Sequence, residues 1–425
     1  MVNKNNILKL ILTLLLVACA AIFALSRSMY TEALADSFFA FALASVLILH
    51  FRVRPKWQDA VLVLAITLAL ATIDFKALHY APRLVAWLSF AGIASFLIMA
   101  VRATWTESPG ERRMLLYAWV PAVLFVASDF FASDLLAWTA AAHHKTLDLY
   151  LLSFDYSTRV EWPFVSGQAY AMHYWLHTFS LIAYVGLALP VALVYAGRLV
   201  RFGQRAFPAM LAFLITGPVG VVFYNLFPAA GPHSLFQNGF PFIPFPMAKA
   251  PQLLLEPLVT SGPRNAMPSL HMAWMLLAWW YSRGLSRAER VIVFLFLAMT
   301  VFATLGTGEH WLADLIVAFP FAILIQAVSE YSLSWNDQRR LMAFFFGAAA
   351  TLGWLVMLRY GAKLFWTSPV VPWALSVATV ALSNIRQETL AEAVEAAGRL
   401  TFDETPRTIT EGAILNEISP TTGMD

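Results

Sequence analysis

Apolar runs of about twenty residues recur along this chain, near 7–26, 34–51, 58–75, 82–101, 114–139, 171–197, 206–227, 268–284, 288–307, 309–330, 341–360 and 367–384. A helix needs about 20 mostly apolar residues to cross the hydrocarbon of a bilayer. The pattern therefore predicts an all-α, polytopic helical membrane protein with about twelve transmembrane helices. Two polar interruptions are longer than connectors. Residues 140–170, with Thr146-Leu147-Asp148 and Trp162-Pro163, alternate apolar and charged positions and suit a helix lying in the interface. Residues 228–267 carry eight prolines and read as a rigid, irregular cap. From 385 onward eight acidic residues face three basic ones, so an acidic tail is expected, with a short helix at Glu388–Leu400 and then disorder. The organisation expected is an accessory bundle over 1–139, a core over 140–330, two further helices over 331–384 and the tail over 385–425.

Composition agrees with the pattern. The chain of 425 residues is 60% hydrophobic and only 12% charged, against about a quarter charged in soluble domains. That excludes a water-soluble enzyme, a coiled coil and a disordered chain. The single cysteine, Cys19, excludes an internal disulfide and a cysteine-based zinc cluster. It ends a run behind Lys4 and Lys9 that resembles a lipoprotein cleavage site, but the run continues to Leu25 and is read as a first span. The net charge of +3 does not point to nucleic acid.

The placement of charge matters more than its sum. Sixteen basic residues fall in alternate loops, among them Arg52, Arg102, Arg198, Arg201, Arg283 and Arg287, and nine fall on the other side. The positive-inside rule then puts both termini in the cytoplasm. Eight of the nine histidines fall on the opposite, outer side, and His50 alone lies inside. Candidate chemistry is thus expected on the outer face of a plasma or inner membrane.

Two motifs supply that chemistry. One is Gly262-Pro263-Arg264-Asn265-Ala266-Met267-Pro268-Ser269-Leu270-His271, and the other is Gly306-Thr307-Gly308-Glu309-His310-Trp311-Leu312-Ala313-Asp314. Ionisable residues at membrane depth are functional candidates by default. His271 and His310 are separated by 39 residues with a basic turn between them, so the chain goes in and returns to the same face. His310 and Asp314 are i,i+4 neighbours, in which a carboxylate can hold an imidazole N–H. Such an imidazole is a nucleophile toward phosphorus, and a second histidine can move the leaving and entering protons. Arg264, Ser269 and nearby backbone N–H groups can receive phosphate oxygens.

Pro-Ser-Leu-His followed by His-x-x-x-Asp resembles the type 2 phosphatidic acid phosphatase superfamily, and within it the inositol phosphorylceramide synthase branch. The resemblance covers roughly 140–330 and includes Phe223-Tyr224-Asn225-Leu226-Phe227-Pro228, similar to the aromatic-then-proline segment of that branch. It implies a catalytic core of six helices over 140–330, no metal or other cofactor, and a phosphohistidine intermediate. It also implies His310 as nucleophile, Asp314 as its orienting acid and His271 as acid/base. This chain departs from the phosphatase branch in three ways. It has no Lys-x6-Arg-Pro string, it has Leu270 in place of Gly, and it has Ala303-Thr304 in place of Ser-Arg. Arg264 and Lys249 are left as phosphate ligands. The synthase branch shares such departures, so they favour transfer over hydrolysis without fixing the substrate. The resemblance implies transfer of a phosphate-linked, inositol-phosphate-like headgroup from a phospholipid donor to a lipid hydroxyl acceptor.

A lipid phosphate phosphatase, and a transporter or flippase with vestigial motifs, are the alternatives. No repeat between halves supports transport. Asn265, Glu309, Tyr224, His173 and His177 are expected to line the pocket. The His173/His177 pair has i,i+4 spacing but no third ligand evident nearby, so pocket lining ranks above metal binding. His143-His144 reads as a solvated pair, and Asp129 and Asp134 as interhelical hydrogen-bonding groups. The oligomeric state is not legible.

Overall fold

The computed structural model describes residues 37–53, 55–73 and 83–403. The first expected span and the end of the tail lie outside them. The described helices are α1 (Ser37–Arg52), α2 (Trp57–Ile73), α3 (Arg83–Trp105), α4 (Pro109–Ala142), α5 (Asp148–Ser157), α6 (Trp162–Met172), α7 (Tyr174–Val185) and α8 (Ala188–Phe202). They continue with α9 (Phe207–Leu226), α11 preceded by a short α10 (Pro232–Phe236), and then α12 to α15. Here α11 is Leu270–Tyr281, α12 is Arg287–Gly306, α13 is Leu312–Ser329, α14 is Gln338–Tyr360 and α15 is Val370–Asp403. A two-residue ladder, Lys145–Thr146 (β1) antiparallel to Leu258–Val259 (β2), ties the cap to the end of α4.

Among the described residues, five segments are long and apolar enough to cross a membrane: Ala86–Trp105, Ala188–Leu226, Arg287–Gly306, Leu312–Ser329 and Gln338–Tyr360. These make the protein an integral membrane protein. The expectation of twelve single crossings is not reproduced. The run 171–197 is two helices, because Pro190 has no N–H to give to the Gly186 carbonyl. That carbonyl accepts from Leu189 instead. The run 268–284 is a helix of only 12 residues, about 18 Å at 1.5 Å per residue. It starts after Pro268, with Ser269 as its N-cap. Helix α15 runs on through 385, so the shift to acidic composition is not a helix boundary. Asp134 is exposed on α4 rather than turned into a helix contact.

Helix α13 is the axis of the core. It is apolar on every side, and a helix of that kind is buried. It packs against α9, α11, α14 and α15, and its start meets α5. A second apolar cluster joins α1, α3, α4 and α8 through Val46, Leu49, Met99, Leu115, Tyr195 and Leu199. Helix α8 therefore belongs to both assemblies, and the Tyr195 hydroxyl donates to the Tyr117 carbonyl of α4 at 2.8 Å.

The largest departure is α5. Residues 140–170 do not form an interfacial amphipathic helix. Eight of the ten α5 residues are buried, including Asp148 and Asp155. These acids occur seven residues apart, two helical turns, and so share one face. That face is turned inward.

At the end of the helices away from the histidine motifs, Glu289 joins the two assemblies. Its carboxylate accepts from Arg52 of α1 and Arg201 of α8 and closes a capping box with Ser286. Arg52 and Arg201 are more than a third exposed, so each ion pair contributes about 1 kcal/mol or less. The substitution Glu289→Ala also removes the Glu289 half of the capping box, while Ser286 stays as N-cap. Glu289→Ala is expected to lower the thermal midpoint of the detergent-solubilised protein by several degrees, whereas Arg339→Ala, which disturbs an exposed pair with Asp337, leaves it within about a degree.

Candidate active site

The start of α13 brings the second motif into place. His310 sits in the turn between α12 and α13, with its backbone N–H on the Thr304 carbonyl at 3.1 Å. Only 2% of its surface is exposed. Its Nδ1 is 3.0 Å from the Ala266 carbonyl oxygen and 3.4 Å from Asp314 Oδ2. Both neighbours are acceptors, so Nδ1 carries the hydrogen and Nε2 holds the lone pair. The expected orienting role of Asp314 is thus shared, and the shorter contact belongs to the first motif's backbone. Asp314 Oδ2 also accepts from the Trp311 N–H at 2.7 Å, capping α13. Asp314 Oδ1 is buried without a hydrogen-bond partner.

The first motif packs directly against the second. Ser269 caps α11 through the Met272 N–H and gives its own N–H to the Asp314 carbonyl. One residue into α11, His271 stacks on Tyr184 of α7, with ring centroids 3.9 Å apart and planes 12° from parallel. Trp274 and Phe38 approach the imidazole from other sides. His271 and His310 are close enough to interact electrostatically. Leu270, which stands where the phosphatase branch has Gly, seats against Gly220 of α9, and a Cβ on Gly220 would run into it. The Leu is accommodated by an absent side chain opposite.

Arg264 is the clearest correction. It is 3% exposed, and its guanidinium donates to five backbone carbonyls. Nε reaches His143 at 2.8 Å, Nη2 reaches Thr260 at 3.1 Å and His144 at 3.3 Å, and Nη1 reaches Gly262 and Ser261. A guanidinium has five N–H donors. All are used, so Arg264 locks the cap onto the end of α4 instead of presenting a fork to phosphate. Neither motif spacing nor composition reveals that use, because the acceptors are main-chain atoms. Lys249 is exposed on the turn Met247–Gln252 of the cap.

The pocket-lining expectations divide. Tyr224 is buried beside the site, within electrostatic reach of Tyr184 and Asp314. Asn265 has a buried Oδ1 without a hydrogen-bond partner. Glu309 is half-buried and is the main opposite charge felt by His310. His173 is exposed at the α6–α7 junction, and His177 packs on Tyr170 at 4.4 Å between centroids. His143 is not simply solvated, since its Nε2 meets Asn225 Oδ1 at 2.9 Å.

Two buried carboxylates escape a motif reading. Asp148 accepts from the Ala230 N–H at 3.0 Å, the Gly231 N–H at 2.9 Å and the Trp311 indole N–H at 2.9 Å. Asp155 accepts from the Leu312 N–H at 2.9 Å and the Ala313 N–H at 3.4 Å. Burial raises both carboxyls above the usual aspartate range, against the pull of these donors. Their seven-residue spacing in an otherwise apolar segment was the available signal. Gly231 completes the joint. Its φ of 85° is left-handed, and a Cβ there would overlap the Glu309 carbonyl. The cap covers the second motif with Phe236 on Trp311 and Phe164, and Phe240 on Phe164. Phe242 is 61% exposed and does not contribute to that cover.

Residues 149–328 match the model of the PAP2 superfamily. The matched segment contains His271, His310 and Asp314 and leaves out α1–α4, α14 and α15. It supports a likeness to that superfamily over less than half of the chain. No curated protein and no solved structure matches this chain.

Arg264→Lys tests the structural use of the guanidinium. A lysine ammonium offers three donors for five carbonyls, and each unsatisfied buried group costs about 1–3 kcal/mol. Thermal unfolding is expected at clearly lower temperature, with the affinity for vanadate, read by thermal shift, unchanged. A variant as stable as the parent that no longer binds vanadate would return Arg264 to phosphate binding.

Proposed function

We propose that this protein is an integral-membrane phosphotransferase that moves a phosphate-linked headgroup from a phospholipid to a lipid hydroxyl through a phosphohistidine on His310. The observation that carries the reading is the ring setting of His310, whose Nδ1 faces two acceptors and whose Nε2 is left as the nucleophile. Nε2 attacks phosphorus and the bond to the diacylglycerol oxygen breaks. His271, neutral in its buried setting, relays a proton: the hydrogen on one ring nitrogen goes to that oxygen while the other ring nitrogen takes the proton of the acceptor hydroxyl, whose oxygen attacks phosphorus as the N–P bond breaks. Asp314 offsets the positive charge of the phosphorylated ring. Ser269, Asn265 and Lys249 are the polar groups offered to the headgroup phosphate, and Tyr224, Glu309, His173 and His177 border the route to it.

Transfer rather than hydrolysis is supported by burial. A phosphohistidine under the aromatic cover of Phe236 and Phe240 meets little water, while a positioned alcohol gains a large effective molarity, on the order of 10⁵ M in favourable cases. The headgroup assigned is inositol-phosphate-like, as in the inositol phosphorylceramide synthase branch. The distribution of basic residues supports an orientation with both termini in the cytoplasm and the site on the outer face of a plasma or inner membrane.

Purified protein given labelled phospholipids is expected to cleave a phosphodiester lipid only when ceramide or diacylglycerol is present. Release of inorganic phosphate from a phosphomonoester lipid without any acceptor would establish a phosphatase, and no headgroup chemistry at all would leave transport. His310→Ala should lose turnover and trap no phosphoenzyme, and Asp314→Asn should keep the fold while losing much of the rate. A reporter after residue 425 should be cytoplasmic and one near Gln237 outside; both on one side would overturn the orientation.

The pH profile has a defined sign. Burial outweighs the attraction of Glu309 and the Ala266 carbonyl and lowers His310 to about 4. The imidazole is then neutral and competent above that pH and is lost to protonation below it. The acid limb of kcat/KM is expected near pH 4, and a limb near the ordinary histidine value of about 6.5 would contradict a buried nucleophile.

A further inference from the structure

Asp148 lies outside both histidine motifs yet touches the backbone or side chain of segments that hold each of them. Its Oδ2 accepts from Ala230 N–H, and its Oδ1 from Gly231 N–H and the Trp311 indole. The first pair of contacts leads to the first motif. Next to Ala230, the Ala229 carbonyl accepts the Ala266 N–H at 3.0 Å, and the Ala266 carbonyl is the nearer acceptor for His310 Nδ1. The third contact leads to the second motif, since Trp311 follows His310 in the chain. Trp311 is the largest fully buried side chain described, so its indole cannot shift without moving its neighbours.

We infer that Asp148 is a positioning residue that sets the His310 ring by holding the two motifs at a fixed separation, through Ala230–Gly231 on one side and Trp311 on the other. This rests on the proposed role of His310 as nucleophile. The physical content is a tautomer. With Ala266 held at hydrogen-bond distance, the hydrogen stays on Nδ1 and Nε2 keeps its lone pair. When that distance loosens, only the longer contact to Asp314 Oδ2 at 3.4 Å still favours hydrogen on Nδ1, so the tautomer preference weakens and the attacking nitrogen is displaced. A displacement of about 1 Å in a reacting group can cost about 100-fold in rate. A carboxylate is required because three donors converge on two oxygens. An amide in its place would turn N–H against N–H at one of them.

Asp155 supplies the internal comparison. It is equally buried and on the same face of α5, but it meets only the Leu312 and Ala313 N–H groups, further along α13. Its loss removes a helix cap without touching the Ala266 bridge.

The test uses the full-length protein in detergent or nanodiscs, labelled with ¹⁵N-histidine, with His310 assigned from the spectrum of His310→Gln. The parent should show His310 as a single neutral tautomer with hydrogen on Nδ1. Asp148→Asn should show both tautomers, and its kcat should fall about 100-fold while KM for the donor lipid changes less than about twofold, the mark of an interaction used in the transition state. Asp155→Asn should lose thermal stability and keep the parent tautomer. An unchanged His310 signal and kcat in folded Asp148→Asn would overturn the inference, and so would equal effects from the two variants. Should Asp148→Asn not fold, Trp311→Phe removes one of its three donors, and an unaltered His310 signal there would overturn the inference as well. Absence of turnover in the parent protein would count against the proposed function alone, because the tautomer is read without activity.

Discussion

The first N–H groups of a helix have no partners within it, and at membrane depth there is little water to take them. For α13 the groups at Trp311, Leu312 and Ala313 are met by carboxylates, one from Asp314 and one from Asp155. Much of the site follows from that requirement. The helix is the buried axis of the core, so its start cannot be moved into solvent. The acids that satisfy it must come from its own first turn and from a helix packed across that turn. That second source is α5, which is why a charged segment is buried rather than spread on the interface. The same placement brings Asp148 to the Trp311 indole and brings Asp314 to His310.

A charge balance follows. Asp148, Asp155 and Asp314 are buried together, and the cationic groups near them are constrained. Arg264 has spent its five donors on carbonyls, although it remains near enough to Asp148 to feel its charge. The positive ends available are the α13 N-terminus and the imidazoles themselves. In the proposed mechanism this site has to bear positive charge on His310 once Nε2 is phosphorylated, while burial resists plain protonation of the free ring. Those two demands oppose each other on one side chain. They are reconciled by where the charge appears: Nδ1 keeps its hydrogen throughout, and the new charge arises only when Nε2 forms its bond.

What was legible in the sequence has a physical pattern. That His271, His310, Asp314 and Ser269 come together is legible because they lie in two short motifs, with a proline or a cap marking where each helix starts. The cap over 228–267 was legible from its prolines, and the helical, membrane-embedded character from the apolar runs. Arg264 was misread because an arginine beside a histidine motif looks the same whether its donors face phosphate or carbonyl oxygens. The burial of Asp148 and Asp155 is not legible, because an apolar segment with two acids fits an interfacial helix as well as a buried one. Only the partners distinguish them, and those partners are N–H groups separated by 82 or more positions along the chain. The break at Gly186 is a local effect of Pro190, which the hydrophobic run conceals.

The separation of the accessory bundle from the core is also less complete than the runs imply. Helix α1 reaches the core at both of its ends. Near Arg52 it is held by Glu289, and at the other end Phe38 stands 6.1 Å from the His271 ring and 6.0 Å from Tyr184. The stacked pair of His271 and Tyr184 thus has an aromatic neighbour from outside the segment that matches the PAP2 superfamily. The proton transfer proposed for His271 calls for a fixed ring plane and a dry surrounding. Stacking on one face and edges on the others provide both. The first helices are therefore tied to the candidate site by packing: α1 adds to the apolar wall around His271, while α5 and the cap hold the segment of His310 from the other side.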